Sequence, residues 1–124
     1  MESETSVPKK VILSVDNNTL NQDVTKRFLA STGYQLIQAS SGDEALEVLS
    51  QQHVDLVLTA IILPGMSGLG LAQQVRSDFP YLPTVALSSV RLENKEVMAS
   101  GLSDWLLIPV TKAVLVETIQ KFLG

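Results

Sequence analysis

Few side chains in this sequence have chemistry to offer. There is no cysteine and one histidine, His53. Thiolate nucleophiles, disulfides, cysteine metal sites and histidine-rich metal centres are therefore excluded. What remains are carboxylates, hydroxyls and amides. Asp16 is followed by Asn17 and Asn18, and Ser88 by Ser89, each pair closing a short apolar run. A carboxylate in that place can ligate a hard cation or simply organise a turn, and a hydroxyl can donate to an anion or cap a loop. Asp55 and Asp104 instead open apolar runs. Asp55 precedes Ala60 by five residues, about 16 Å along an extended strand, so the two belong to opposite ends. His53 follows Gln51 and Gln52 and reads as a solvated residue at a helix terminus. Gly68 and Gly70 lack the third glycine of a dinucleotide fingerprint.

These groups must be held by a chain of 124 residues, 45% hydrophobic and 18% charged, with 9 basic and 13 acidic side chains and a formal charge of −4. That length makes one ordinary domain with one core, and the apolar fraction excludes disorder. No apolar run reaches the roughly 18 residues of a membrane span, and residues 1–10 hold no apolar stretch of the kind a signal peptide needs. A chain without cysteine suits the cytoplasm. A pI near 4.8, with Lys and Arg scattered along the chain, argues against direct nucleic-acid binding. Residues 1–8, polar and ending in proline, read as a flexible tail before a single domain at 9–124.

From Val11 onward two textures alternate. Short apolar runs cover residues 11–15, 34–39, 54–60, 83–87 and 104–107, separated by segments with apolar residues three and four apart, such as Leu20, Val24 and Phe28. Five strands alternating with five helices predict an α/β domain with a doubly wound parallel sheet, covered on both faces. The second run alternates more than the first, third and fourth, which suits an edge strand. Asn17, Asn18 or Thr19 can cap the first helix, Ser41 the second with Glu44 three residues on, and Ser67 the third. The fourth helix is expected over residues 91–101 and the fifth from Thr111. In such folds sites form at the carboxyl ends of strands. Here those ends are Asp16 and Asn17, Ala60 to Ile62, Ser88 and Ser89, and Ile108 and Pro109.

Residues 11–18, 55–68, 84–89 and 104–110 resemble the four motif blocks of a response-regulator receiver domain, in order and spacing, and the likeness extends over about residues 9–124. The stretch from Ser40 to Leu46 resembles the family's segment after its second strand, and the one from Pro64 to Gly68 its phosphorylation-site loop. The resemblance implies a flavodoxin-like (CheY-like) fold with five parallel strands in the order 2-1-3-4-5 and five helices.

It also implies a chemistry, phosphoryl transfer onto an aspartate at the end of the third strand. Two acids after the first strand hold Mg²⁺, a Ser or Thr follows the fourth, and a lysine follows the fifth to offset charge on the phosphoryl oxygens. Carried over position by position, the nucleophile is Ala60. The acid pair is Asp16 with Asn17, the hydroxyl is Ser88, the lysine is Ile108, and the switch aromatic is Trp105. A methyl group cannot form an acyl phosphate. A lysine facing Ala60 and Asn17 would be a partly buried, unpaired cation, costing several kcal/mol, roughly 3–5. Ile108 removes that cost and is expected to pack against Ala60. Together these positions resemble a pseudo-receiver with a vestigial phosphorylation pocket, no metal site and no cofactor. The retained Pro109 implies the cis bond that the family commonly has there.

The expected function is a phosphorylation-independent protein-interaction module in two-component signalling. Asp16 to Asn18 with Asn21, and Pro109 with Val110, resemble the version found in hybrid histidine kinases. The resemblance places the partner on the face of the fourth helix, fifth strand and fifth helix: a histidine kinase, another signalling domain, or a second copy giving a homodimer. Trp105, Val114 and Phe122 are the candidate interface residues there, the last two because the fifth helix carries more apolar residues than one core stripe needs. The alternative function is a small anion or nucleotide bound in the vacated pocket, with Ser88 and loop amides as donors.

Overall fold

Alternation of apolar side chains within each strand sends successive residues to opposite faces, so both faces of the sheet must be covered. A computed structural model describes residues 8–124 and places the elements in the order β1 (Val11–Val15), α1 (Thr19–Leu29), β2 (Gln35–Ala39), α2 (Gly42–Gln51), β3 (Leu56–Ala60), α3 (Gly68–Asp78), β4 (Thr84–Ser88), α4 (Asn94–Ser100), β5 (Asp104–Leu107) and α5 (Lys112–Leu123). All strand pairs are parallel, in the order β2-β1-β3-β4-β5. The expected tail lies, apart from Pro8, outside the described residues.

The two faces are sorted by residue parity. Ile12, Leu56, Leu58 and Val85 join Leu29 of α1 and Leu115 and Ile119 of α5 in one core. Leu13, Val15 and Val57 point the other way, to Ala45 and Leu49 of α2 and Leu71 and Val75 of α3. A third cluster, Ala72, Ala86, Leu92 and Leu102, fills the space beside α4. β1, β3 and β4 are central, as their near-continuous apolar runs require, and β2 lies at one edge with only Ala39 fully buried.

Helix starts follow the capping residues. Asn18 caps α1 by accepting from the Asn21 amide. Ser41 caps α2, and Glu44 reaches back to the Ser40 amide at 2.7 Å. Ser67 and Thr111 cap α3 and α5. α4 corrects the expectation for residues 91–101. It begins only at Asn94, because Leu92 is buried in the third cluster and Glu93 closes the turn by donating its amide to Glu96 Oε1 at 3.4 Å. Arg91 thus belongs to a loop. Ile108–Pro109 is cis, as the resemblance implies.

Candidate functional site

The register brings four strand ends together. Val15 pairs with Thr59, Ala60 with Leu87 and Ser88 with Leu107, so the residues that follow β1, β4 and β5 surround the last residue of β3. Asp16, Asn17, Ala60, Ser88 and Ile108 all line one cavity of about 330 Å³. The strand-end residues named from sequence are therefore neighbours in space. Ile61, Ile62 and Val90 line the same cavity, and Ile62 and Val90 are exposed.

Asp16 and Ser88 have local work there. Asp16 Oδ1 accepts from the Asn18 amide at 2.8 Å, the geometry of a turn acid, while its carbonyl accepts from Gln22 Nε2. Ser88, almost fully buried, donates its hydroxyl to the Val90 carbonyl at 2.5 Å and accepts from the Val90 amide at 3.1 Å. It clasps the β4–α4 loop. Ile108 donates its amide to the Ser88 carbonyl, and its side chain borders the cavity opposite the first strand's loop. It shares the cavity with Ala60 but belongs to none of the apolar clusters, so the expected packing of Ile108 on Ala60 is not a core contact. Ala60 instead packs against the cluster under α2 and α3.

A glycine makes this arrangement possible. Gly68, the first residue of α3, donates its amide to the Ile61 carbonyl at 2.7 Å, and a Cβ there would lie 2.0 Å from the Ala60 carbonyl oxygen. Any other residue at position 68 would push α3 off the end of β3.

The interface candidates separate. Val114 is 42% exposed. Trp105 is half-buried against the cluster beside α4. Phe122 is a correction: it is half-buried against the core under α1 and α5, with the Lys121 ammonium 5.4 Å from its ring centre, and does not form an exposed patch. The last turn of α5 lies on the sheet, so its apolar surplus is used for cover. Met98, exposed on α4, was not singled out from sequence because an isolated methionine carries no pattern.

At the other end of the sheet, Asp55 and His53 stand where the sequence places them and make a contact it does not show. His53 is exposed, yet its Nε2 lies 2.6 Å from Asp55 Oδ1, while Asp55 Oδ2 accepts from the Val11 amide at 2.7 Å. Burial alone would raise the Asp55 carboxyl; the Val11 amide, the His53 ring and the charges of His53 and Lys10 outweigh it and hold it below its ordinary value. A depressed carboxylate stabilises the fold above its unfolded-state value, about pH 4, and that contribution is lost as the pH falls through the folded value. Urea melts across the acid range should therefore show Asp55→Ala less stable than the parent at neutral pH, by about 1–3 kcal/mol for the orphaned Val11 amide and the lost His53 hydrogen bond, with the gap narrowing below about pH 4. A gap that widens on acidification would contradict the assignment. Asp104 is similarly committed, to Lys121 Nζ at 2.7 Å.

A family model for the response regulator receiver domain matches residues 12–120. The chain belongs to that family. Part of a sensor histidine kinase, RcsC of Escherichia coli K12, is 35% identical over 114 residues, which is 90% of this chain but only 12% of that protein. The polar-differentiation response regulator DivK of Brucella ovis is 29% identical over 119 residues, 93% of this chain and 97% of that one. Among solved structures, the receiver domain of sensor histidine kinase PA1611 from Pseudomonas aeruginosa PAO1 superposes with a TM-score of 0.85 at 26% identity, covering 94% of this chain and 99% of that one. The chemotaxis response regulator CheY4 of Vibrio cholerae shares the fold, with a TM-score of 0.86 at 24% identity over 93% of this chain and 99% of that one. This receiver domain is thus of the two-component signalling type.

The PA1611 receiver was solved with a magnesium ion coordinated in its active-site cleft. The corresponding residues of this receiver do not fit that ion. Mg²⁺ is bound through hard oxygens, usually carboxylates. Asp16 is the one carboxylate lining the cavity, half its oxygen pair is taken by Asn18, and Ala60 contributes a methyl group. Among the described residues no group of three His, Cys, Asp or Glu is placed to hold a metal. No helix among them is long and apolar enough to cross a membrane.

Proposed function

We propose that this chain is a pseudo-receiver: one receiver domain over residues 9–124 that signals by protein contact without being phosphorylated. The observation that carries the reading is Ala60. It occupies the end of β3, inside the cavity formed by the four converging strand ends, with Asp16 as the sole carboxylate of that cavity. Asn17 and Ile108 support it, since the second acid and the cation are also absent from the lining. Loss of the nucleophile removes the charge that a cation there would balance, so replacement of the lysine by an apolar side chain follows from the same cause.

The contact surface we assign to α4, β5 and α5. These three consecutive elements carry Met98, Leu107 and Val114, exposed, and Trp105, half-buried, a mixture suited to a docking face with a partly desolvated aromatic anchor. A histidine kinase, another signalling domain or a second copy is the partner class, in the cytoplasm. The chain's match to a short part of RcsC is consistent with work inside a hybrid kinase. No observation favours the anion or nucleotide alternative: the cavity's one charged group is acidic, and the Ser88 hydroxyl is spent on Val90.

Intact mass after incubation with acetyl phosphate and Mg²⁺ tests the reading. The mass should stay unchanged, and the melting temperature should be the same with millimolar Mg²⁺ or a chelator. A phosphoryl adduct mapping to Asp16 or Asp55 would overturn it.

A further inference from the structure

A second cavity lies beside the first, behind Ile108. It occupies about 380 Å³ between α1 and the β5–α5 turn, within the range that small-molecule sites span. Its walls are apolar: Val24 and Phe28 of α1, Leu115 of α5, and Leu87, Ile108 and Val110. From sequence, Val24 and Phe28 read as an ordinary inward stripe of α1; in the fold both line this cavity, Phe28 while also packing against the core under α1 and α5. Three observations say what would fill the cavity. First, Asp16 stands at one end as the only charged group lining it, with Oδ1 held by the Asn18 amide and no hydrogen-bond partner for Oδ2 among the described residues. Second, Thr25 lines the cavity at 6% exposure, yet its hydroxyl makes no hydrogen bond among the described residues. The buried hydroxyls of Ser14 and Thr84 likewise make no hydrogen bond among the described residues, but Thr25 is the one that lines this cavity, where a ligand can supply a partner. Third, no lysine or arginine lines the walls, since Ile108 stands where a cation would compete for Asp16.

We propose that this cavity binds a small organic ammonium compound with an apolar body. The ammonium head donates to Asp16 Oδ2 and to the Thr25 hydroxyl oxygen, and the body is buried among Val24, Phe28, Ile108 and Leu115. A carboxylate or phosphate would meet Asp16 as a like charge, and a purely apolar compound would leave both polar groups unpaired. The inference goes beyond the pseudo-receiver reading and does not rest on it: the titrations below use protein that has met no phosphodonor, so they report on this cavity whatever the mass test gives.

Three matched probes decide the matter: phenethylammonium, 2-phenylethanol and phenylacetate, each titrated into ¹⁵N-labelled protein while amide shifts are followed. Phenethylammonium should give saturable shifts at Asn21, Thr25 and Val110. It should bind about tenfold more tightly than the alcohol, the worth of one charge-assisted hydrogen bond, and phenylacetate should give no saturable shift. Asp16→Asn should erase the advantage of the ammonium over the alcohol, while Thr25→Val should weaken both. Ile108→Lys is a second route should Asp16→Asn disturb the α1 cap, the spectrum itself reporting the fold; it places a competing cation in the wall and should abolish ammonium binding. Equal binding of phenylacetate, an absence of shifts at millimolar phenethylammonium, or an ammonium preference that survives both Asp16→Asn and Ile108→Lys overturns the proposal.

Discussion

Ala60→Asp alone should remain unphosphorylated by acetyl phosphate and Mg²⁺, whereas the triple variant Asn17→Asp, Ala60→Asp, Ile108→Lys should accept a phosphoryl group. The single variant gives β3 a nucleophile facing Asn17 and Ile108, with two carboxylates for a metal that favours more hard oxygens and no cation to balance the phosphoryl oxygens. Restoring the second acid supplies the missing metal ligand. Restoring the lysine supplies a charge that now has carboxylate partners, so its burial no longer costs several kcal/mol, roughly 3–5. Removing one preorganised electrostatic group typically slows a transfer by about 10²–10³, so the triple variant should be phosphorylated at least about a hundredfold faster than the single one. Time courses by intact mass measure both. Robust phosphorylation of the single variant would mean that position 60 alone controls the chemistry, and that the changes at 17 and 108 are incidental.

The largest effect on stability is expected at Gly68. Replacing it by alanine puts a methyl carbon 2.0 Å from the Ala60 carbonyl oxygen and 2.9 Å from Ile61 Cα, both backbone atoms that no rotamer change can move aside. The Gly68 amide is meanwhile tied to the Ile61 carbonyl. Relief requires α3 to shift off β3, opening the cluster that Leu71 and Val75 share with β1 and β3. Overpacking of this kind costs about 1–3 kcal/mol where side chains can give way and more where backbone must. Gly68→Ala should therefore lose about 3 kcal/mol or more, a fall in melting temperature of roughly 10 °C. Gly70, two residues on, is the internal control: its added Cβ would meet Met66 and Ser67 side-chain atoms at 3.4 Å, an ordinary contact. Gly70→Ala should be neutral or gain up to about 1 kcal/mol from helix propensity. In denaturant melts Gly68→Ala should fall while Gly70→Ala stays level or rises; equal shifts would show that the close approach at Gly68 is not what holds α3 in place.

The architecture was legible because burial on both faces demands apolar runs in central strands and a polar alternation at the edge. Residues 11–15 and 54–60 against 34–39 carry that contrast plainly. The convergence of Asp16, Asn17, Ala60, Ser88 and Ile108 was legible for a related reason, since a parallel sheet collects its strand ends at one edge. Contacts that depend on the angle between neighbouring elements were not. Spacing alone makes Phe122 an extra apolar residue on α5; only its packing against the core under α1 and α5 shows that it is cover. The late start of α4 depends on Leu92 dropping into the third cluster, a tertiary preference that overrides local pattern. His53 and Asp55 are two apart in the loop before β3, a separation with no helical or strand regularity, so their hydrogen bond had no periodic signature.

Both margins of the sheet are short and ill-suited to templating another strand. β5 has four residues and is followed, after Ile108, by Pro109, which offers no amide hydrogen, and β2 has five, with the Gln38 side chain turned back to the Gln22 carbonyl of α1. Edge-to-edge polymerisation, the hazard of any open sheet held at high local concentration, is thereby discouraged at both ends. Copies crowded together would meet side chain to side chain, leaving the backbone ladder closed to strangers.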